Sequence, residues 1–124
     1  MERIDYLSLH DLIEIGKGVI ADFRVRDMGL LESAAQRPQM RIYGEEAYLE
    51  FEDKVASLMH SIARNHSLVD GNKRLAWSAG RIFCILNDKD LILAANEAEQ
   101  LILEIARGEI DVPAIALRIA PFIK

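Results

Sequence analysis

His66-Ser67-Leu68-Val69-Asp70-Gly71-Asn72-Lys73-Arg74 runs directly into Leu75-Ala76-Trp77-Ser78-Ala79-Gly80-Arg81-Ile82-Phe83-Cys84-Ile85-Leu86. The first run holds a histidine, a carboxylate, a glycine, an amide and two adjacent cations. The second has little polar surface beyond Ser78 and Arg81. Together they predict a loop feeding the N-terminus of a central, buried helix, because a helix apolar nearly all round needs cover on every side. The start of such a helix suits a phosphate. Its first N–H groups lack intrahelical partners, and the positive end of its dipole faces outward.

Upstream of this pair lies the clearest amphipathic pattern in the chain. Phe51, Val55, Leu58, Met59, Ile62 and Ala63 share one helical face, with Glu52, Asp53, Lys54 and Ser57 placed away from it. This helix is expected to end near Arg64 or Asn65. Gln39 to Glu46 is the least helical stretch and mixes β-formers with Gly44, which predicts an extended segment. Before it, Asp27 caps a short helix through Gly29–Ala35, which Pro38 ends. Ser8 with Asp11 caps a first helix carrying Leu9, Leu12, Ile13, Gly16, Val19 and Ile20 at helical spacing.

Downstream, Asn87-Asp88-Lys89-Asp90 breaks the helical pattern, and Leu91-Ile92-Leu93 is short and extended. Asn96 with Glu99 resembles a cap for a helix from Glu97 to Arg107, with Gly108 at C′. Asp111 caps a last helix with Pro113 in its first turn; Val112, Ile115, Ala116, Ile119 and Phe122 are expected to face inward. The whole chain reads as all-α.

At 124 residues the chain has the length of one domain, able to bury a core without disulfides or metal. Its one cysteine, Cys84, sits in the most apolar stretch and reads as a core thiol, which fits a reducing compartment. Met1 to Asp5 is already charged, and no apolar run approaches membrane-spanning length, so a soluble cytoplasmic protein is expected. The net charge of −5 argues against a nucleic-acid binder. The basic residues form no long block; six of the fifteen fall in pairs (Arg24/Arg26, Arg37/Arg41, Lys73/Arg74), a pattern that suits a local anion site.

Within the signature run, Gly71 lets the backbone turn tightly and approach a ligand. Lys73 and Arg74 can neutralise phosphate charge, Arg74 with a two-pronged geometry. Asp70 would repel a phosphate but suits a hard cation such as Mg²⁺ that bridges phosphates. Asn72 can orient the loop or the ligand, and His66 can accept a proton near neutral pH. Singly, each has a plainer role: a helix-end histidine, an Asp-Gly turn, a solvated Lys-Arg face. Together, ahead of a buried helix, they are the parts for moving a nucleotide-derived group onto a hydroxyl. His10 and His60 sit in helical patterns away from the run and read as structural or surface residues. Trp77 reads as core in preference to a base-stacking residue.

His66 to Arg74 resembles the signature of the Fic/Doc family: His, any residue, Phe, any residue, an acidic residue, Gly or Ala, Asn, Gly or Lys, Arg. The resemblance covers essentially the whole chain and is closest to the Doc (death on curing) toxin branch. Lys73 stands where AMP-transferring members have Gly, and Trp77 stands where they have a second Arg. Arg26-Asp27-Met28-Gly29-Leu30-Leu31-Glu32-Ser33-Ala34 is also similar to the Doc N-terminal region. One departure is Leu68 in place of Phe, which keeps the apolar character of an inward anchor.

The resemblance implies a compact six-helix fold with the signature loop ahead of a central buried helix. It implies ATP as phosphate donor, Mg²⁺, and transfer of the γ-phosphate to a threonine of elongation factor Tu, which arrests translation. In that branch the nucleotide lies reversed relative to AMP-transferring members, with the γ-phosphate in the anion site. By the same resemblance His66 is the general base, Asp70 holds Mg²⁺, and Gly71, Asn72, Lys73 and Arg74 cradle the phosphates. Arg41-Ile42-Tyr43 is the candidate flap that docks the acceptor peptide, with an ordinary interhelix loop as the alternative. A partner antitoxin with a disordered tail is implied, with neither nucleic acid nor membrane as a direct partner. AMP transfer and a catalytically silent binding module are the competing functions.

Overall fold

The computed structural model describes residues 3–124. The charged start read at Met1 and Glu2 therefore lies partly outside the described residues. Six α-helices and one very small sheet make up the described chain: α1 Leu9–Val19, α2 Met28–Gln36, β1 Arg41–Ile42, β2 Glu45–Glu46, α3 Phe51–Asn65, α4 Asn72–Leu86, α5 Ala95–Ala106 and α6 Val112–Ile119. The all-α, six-helix expectation holds.

Local chemistry sets most of the boundaries. Ser8 and Asp11 form a reciprocal capping box at α1: Ser8 Oγ accepts from Asp11 N at 3.1 Å, and Asp11 Oδ2 accepts from Ser8 N at 2.8 Å. Asp27 caps α2 by accepting from Leu30 N, and Asp111 caps α6 by accepting from Ala114 N. After α2 the chain tightens into a 3₁₀ turn at Arg37–Gln39, where Pro38 has no N–H to continue an α-helix. Of the segment 39–46, Gln39 ends the 3₁₀ turn, while Arg41–Ile42 and Glu45–Glu46 are extended, as expected, and close on each other as a hairpin. Arg41 pairs with Glu46 and Ile42 with Glu45 around Tyr43 and Gly44, both at positive φ, the backbone of a tight two-residue β-turn.

The core forms around α3. It packs on α2, α4, α5, α6 and the Arg37–Gln39 turn, while α4 packs on α3, α1 and α5. Gly80 brings α3 and α4 close: a Cβ there would lie 2.7 Å from Met59 Cγ. The enclosure of α3 overturns one expectation. Lys54 and Ser57, read as lying away from the apolar face, are both buried. Neighbours on several sides leave α3 almost no outer face. The lysine is accommodated by pairing with Glu46 on β2 at 3.0 Å and donating to the Tyr48 carbonyl. Ser57 Oγ donates back to the Lys54 carbonyl.

The helix after the signature is central but covered on one face only. Leu75, Ala76, Ala79, Gly80, Phe83 and Cys84 are buried, whereas Ile82, Ile85 and Leu86 remain exposed. Two smaller corrections concern the C-terminal part. α5 starts at Ala95, not Glu97; its N-cap is Ala94, and Asn96 lies inside the first turn. An antiparallel bridge between Leu91 and Ile123 holds the segment that precedes the helix. Phe122 is exposed, because a 3₁₀ turn at Ala120–Phe122 ends the helical register that would have turned it inward.

Candidate active site

The loop between α3 and α4 is held in shape by backbone contacts from far along the chain. His66 ends α3 as its C-cap in the left-handed conformation, φ 51°. Its carbonyl accepts two bonds from the Arg26 guanidinium, through Nε and Nη2. The next carbonyl, on Ser67, accepts from Arg26 N at 2.8 Å and Asp27 N at 3.0 Å, and Val69 N donates to Arg24 O. Leu68, between them, bridges to Val25 and is buried in the core. The linker from α1 to α2 is thus a clamp on the signature loop.

The second half of the loop closes on itself. The Asn72 side chain reaches back to Leu68, accepting from its N–H at 3.0 Å and donating to its carbonyl at 3.1 Å. That amide is engaged across the loop and does not line the cleft described below. Of the two uses the sequence left open to Asn72, the structure has it orienting the loop. Asp70 Oδ1 accepts from Gly71 N at 2.9 Å. Gly71 is the N-cap of α4 at φ 90°, a conformation that strains any side chain, and a Cβ there would meet Ile20 Cδ1 at 2.6 Å.

A glycine N-cap has no side chain to satisfy the helix start, and no side chain among the described residues caps it. The N–H groups of the first turn are therefore open, at the positive end of the dipole. Lys73 and Arg74 stand exposed in the same turn; the one side-chain hydrogen bond of Arg74 among the described residues is a long one, 3.4 Å to the Val19 carbonyl.

These groups open onto a cleft of about 830 Å³ between α4 and α5. Asp70, Gly71, Lys73 and Arg74 line it, joined by Ile20 and by Trp77 and Arg81 further along α4. Ala98, Glu99, Ile102 and Leu103 supply the α5 wall. His66 is exposed but outside this lining. Arg81 is held by Asp90 through two bonds of 2.9 and 3.2 Å. That pairing raises the pKa of the Arg81 guanidinium and lowers that of the Asp90 carboxyl.

The hairpin carrying Arg41, Ile42 and Tyr43 does not line the cleft either. Tyr43 and Ile42 are exposed, and Arg41 Nη1 donates to the Gly44 carbonyl across the turn. Its base is anchored by two cations. Besides the Lys54 contacts, Arg37 donates to Tyr48 Oη at 2.8 Å and Ser61 Oγ at 3.0 Å, and its Nη1 lies 2.9 Å from His60 Nδ1. Burial, then the charges of Arg37 and Arg64, lower the pKa of His60, with Asp111 opposing. His60 is thus a structural acceptor, while His10 is exposed on α1. Burial pushes the Cys84 thiol up to about 12, as befits an inert core thiol.

Two residues take places at the site that the sequence reading did not give them. Trp77 was read as core in preference to a base-stacking residue. It does pack against the core, but it also lines the cleft. The three- and four-residue steps from Arg74 to Trp77 to Arg81 are the signal, since they place the three on one helical face. Arg26 left no comparable signal, because its partner is forty residues away.

A family model described as the Fic/DOC family matches residues 5–84. The chain belongs to the Fic/DOC family. Among its relatives is a protein named Toxin Doc from Mycolicibacterium smegmatis (strain ATCC 700084 / mc(2)155). It is 41% identical over 121 residues, which cover 95% of this chain and 93% of that protein.

Proposed function

We propose that residues 1–124 act as a single-domain, Doc-type toxin that moves the γ-phosphate of ATP onto a threonine hydroxyl of elongation factor Tu, arresting translation. The likeness to Toxin Doc over nearly the full length of both proteins supports the toxin assignment. The observation that carries the chemistry is the uncapped start of α4, where open N–H groups, Lys73 and Arg74 converge on one cleft. Such a seat stabilises the charge that spreads over a phosphoryl group as it transfers.

His66 is exposed beside the loop and outside the cleft lining, so a hydroxyl carried by another protein can reach it from solvent. In this role His66 takes the hydroxyl proton and the freed oxygen forms the new P–O bond. The bond from the γ-phosphorus to the β–γ bridging oxygen breaks, leaving ADP. Lys73 and Arg74 hold the phosphate oxygens, and Gly71 keeps the backbone clear for their approach.

Asp70 fits Mg²⁺ as its one loop carboxylate. No group of three or more His, Cys, Asp or Glu side chains poised for a metal occurs among the described residues. Mg²⁺ takes few protein ligands and completes its shell with water and substrate phosphates. When bound, the ion would neutralise and orient phosphate oxygens.

The exposed hairpin supports the acceptor-docking role of Arg41, Ile42 and Tyr43, since each strand of a two-stranded ladder has one unpaired edge to offer. For the antitoxin tail, Leu117 and Phe122 near the C-terminus leave apolar surface open. No helix among the described residues is long and apolar enough to cross a membrane. We place the protein in the cytoplasm with its target.

The deciding test is incubation of the full chain with Mg²⁺, elongation factor Tu and ATP labelled at either the γ- or the α-phosphate. Transfer of γ-label alone is the expected result. Transfer of α-label would make the protein an AMP transferase, and transfer of neither, alongside growth arrest, would make it a binding module.

A further inference from the structure

We propose that the apolar part of the cleft, where Trp77 of α4 meets the wall formed by Leu93, Ile102 and Leu103, seats the base of the nucleotide, with the indole as its stacking partner. This rests on the phosphotransfer reading and adds to it where the nucleoside lies.

The cleft has two chemically different parts. Its unpaired cations, Lys73 and Arg74, and its open N–H groups all come from the first turn of α4, residues 72–74. A phosphate gains nothing from an indole and aliphatic side chains, yet these line the same cavity. A planar, uncharged ring joined to an anionic tail has use for both. Trp77 lies three residues beyond Arg74, a rise of about 4.5 Å on the same helical face, so charge comes first along α4 and aromatic surface second.

Arg81 does not extend the phosphate seat. Both carboxylate oxygens of Asp90 already bind its guanidinium, so its charge is balanced. Trp77 is half-buried and lines the cleft, and its indole N–H makes no hydrogen bond among the described residues. Glu99, across the cleft, can accept from ribose hydroxyls or a base amino group. The volume of about 830 Å³ lies within the range of small-molecule sites, roughly 300–1,000 Å³.

Trp77 is the chain's one tryptophan, so its emission reports on this position alone. The full chain is titrated with Mg-ATP and with Mg-tripolyphosphate, following binding by calorimetry and emission in parallel. Both are expected to bind, with only ATP changing the emission. In Trp77→Leu, checked for fold by circular dichroism, ATP affinity should fall about 5- to 150-fold while tripolyphosphate affinity holds. ATP binding with unaltered emission, an equal emission change with tripolyphosphate, or a folded Trp77→Leu that binds ATP like the parent would each overturn the base site and leave phosphotransfer standing. No binding of either ligand would overturn both.

Discussion

Two pairs of cations serve opposite ends in this molecule. Arg37 and Lys54 sit at the base of the hairpin with donors committed to Tyr48, His60, Ser61 and Glu46. Lys73 and Arg74 stand at the start of α4, where the one side-chain hydrogen bond the pair makes among the described residues is 3.4 Å long. The residue types are the same, and the difference is who satisfies them. Cations whose donors are filled by the protein hold structure. Cations left open beside an uncapped helix start have capacity for a ligand.

The contrast predicts that changes at the α4 site cost activity and not stability, with the reverse at the hairpin base. The largest effect is expected from His66→Ala, with phosphate transfer to the target falling on the order of 10²–10⁴-fold. Melting temperature should hold, because the His66 contact that shapes the loop is made by its backbone carbonyl. Full transfer activity in this variant would sink the assignment. Arg74→Ala comes next, with a loss on the order of 10²–10³-fold, the size seen when one donor to a developing charge is removed. A drop in melting temperature without loss of turnover would place Arg74 with the structural cations instead.

Lys54→Met should act the other way. It removes charged hydrogen bonds to Glu46 and the Tyr48 carbonyl and is expected to cost about 1.5–3 kcal/mol, read by denaturant unfolding. ATP binding by the isolated protein should be unchanged, since Lys54 is not part of the cleft. Gly71→Ala sharpens the boundary between the two groups. Its left-handed φ and the approach of Ile20 predict both a stability loss of about 1–2 kcal/mol and weaker phosphate binding.

The smallest effect concerns pH. The pKa of His60 is lowered in the folded protein, so the folded state favours the neutral ring. Its contribution is full above the ordinary histidine pKa, near 6.5, and is lost as pH falls through the lowered value. Melting temperature should therefore decline as pH falls from about 6.5 through the lowered value, and His60→Gln should flatten the decline. An unchanged slope would show that Arg37 does not depend on an uncharged His60.

Much of this was legible in the chain because it depends on local chemistry. Ser8/Asp11, Asp27 and Asp111 cap the helices read from their positions, and the extended stretch around Tyr43-Gly44 is one. The signature run was legible for the same reason, since its groups are neighbours in sequence. Where the reading failed, the decisive contact was remote. Lys54 looked solvated until β2 and Tyr48 covered it, and the outer apolar residues of α4 looked buried until α3 took the enclosed position.

By itself, then, the sequence determined the helical class, the caps of α1, α2 and α6 and the nine residues at which phosphate chemistry would be sought. Periodicity, capping and spacing act over one or two turns, so they survive in the linear chain. The tertiary structure alone decided which cations are spent on the fold and which remain open, that Arg26 clamps the His66 carbonyl, and that Trp77 lines the cleft. Those outcomes depend on donors and surfaces separated by tens of residues. Only packing brings them together, and burial is what turns a shared residue type into two different roles.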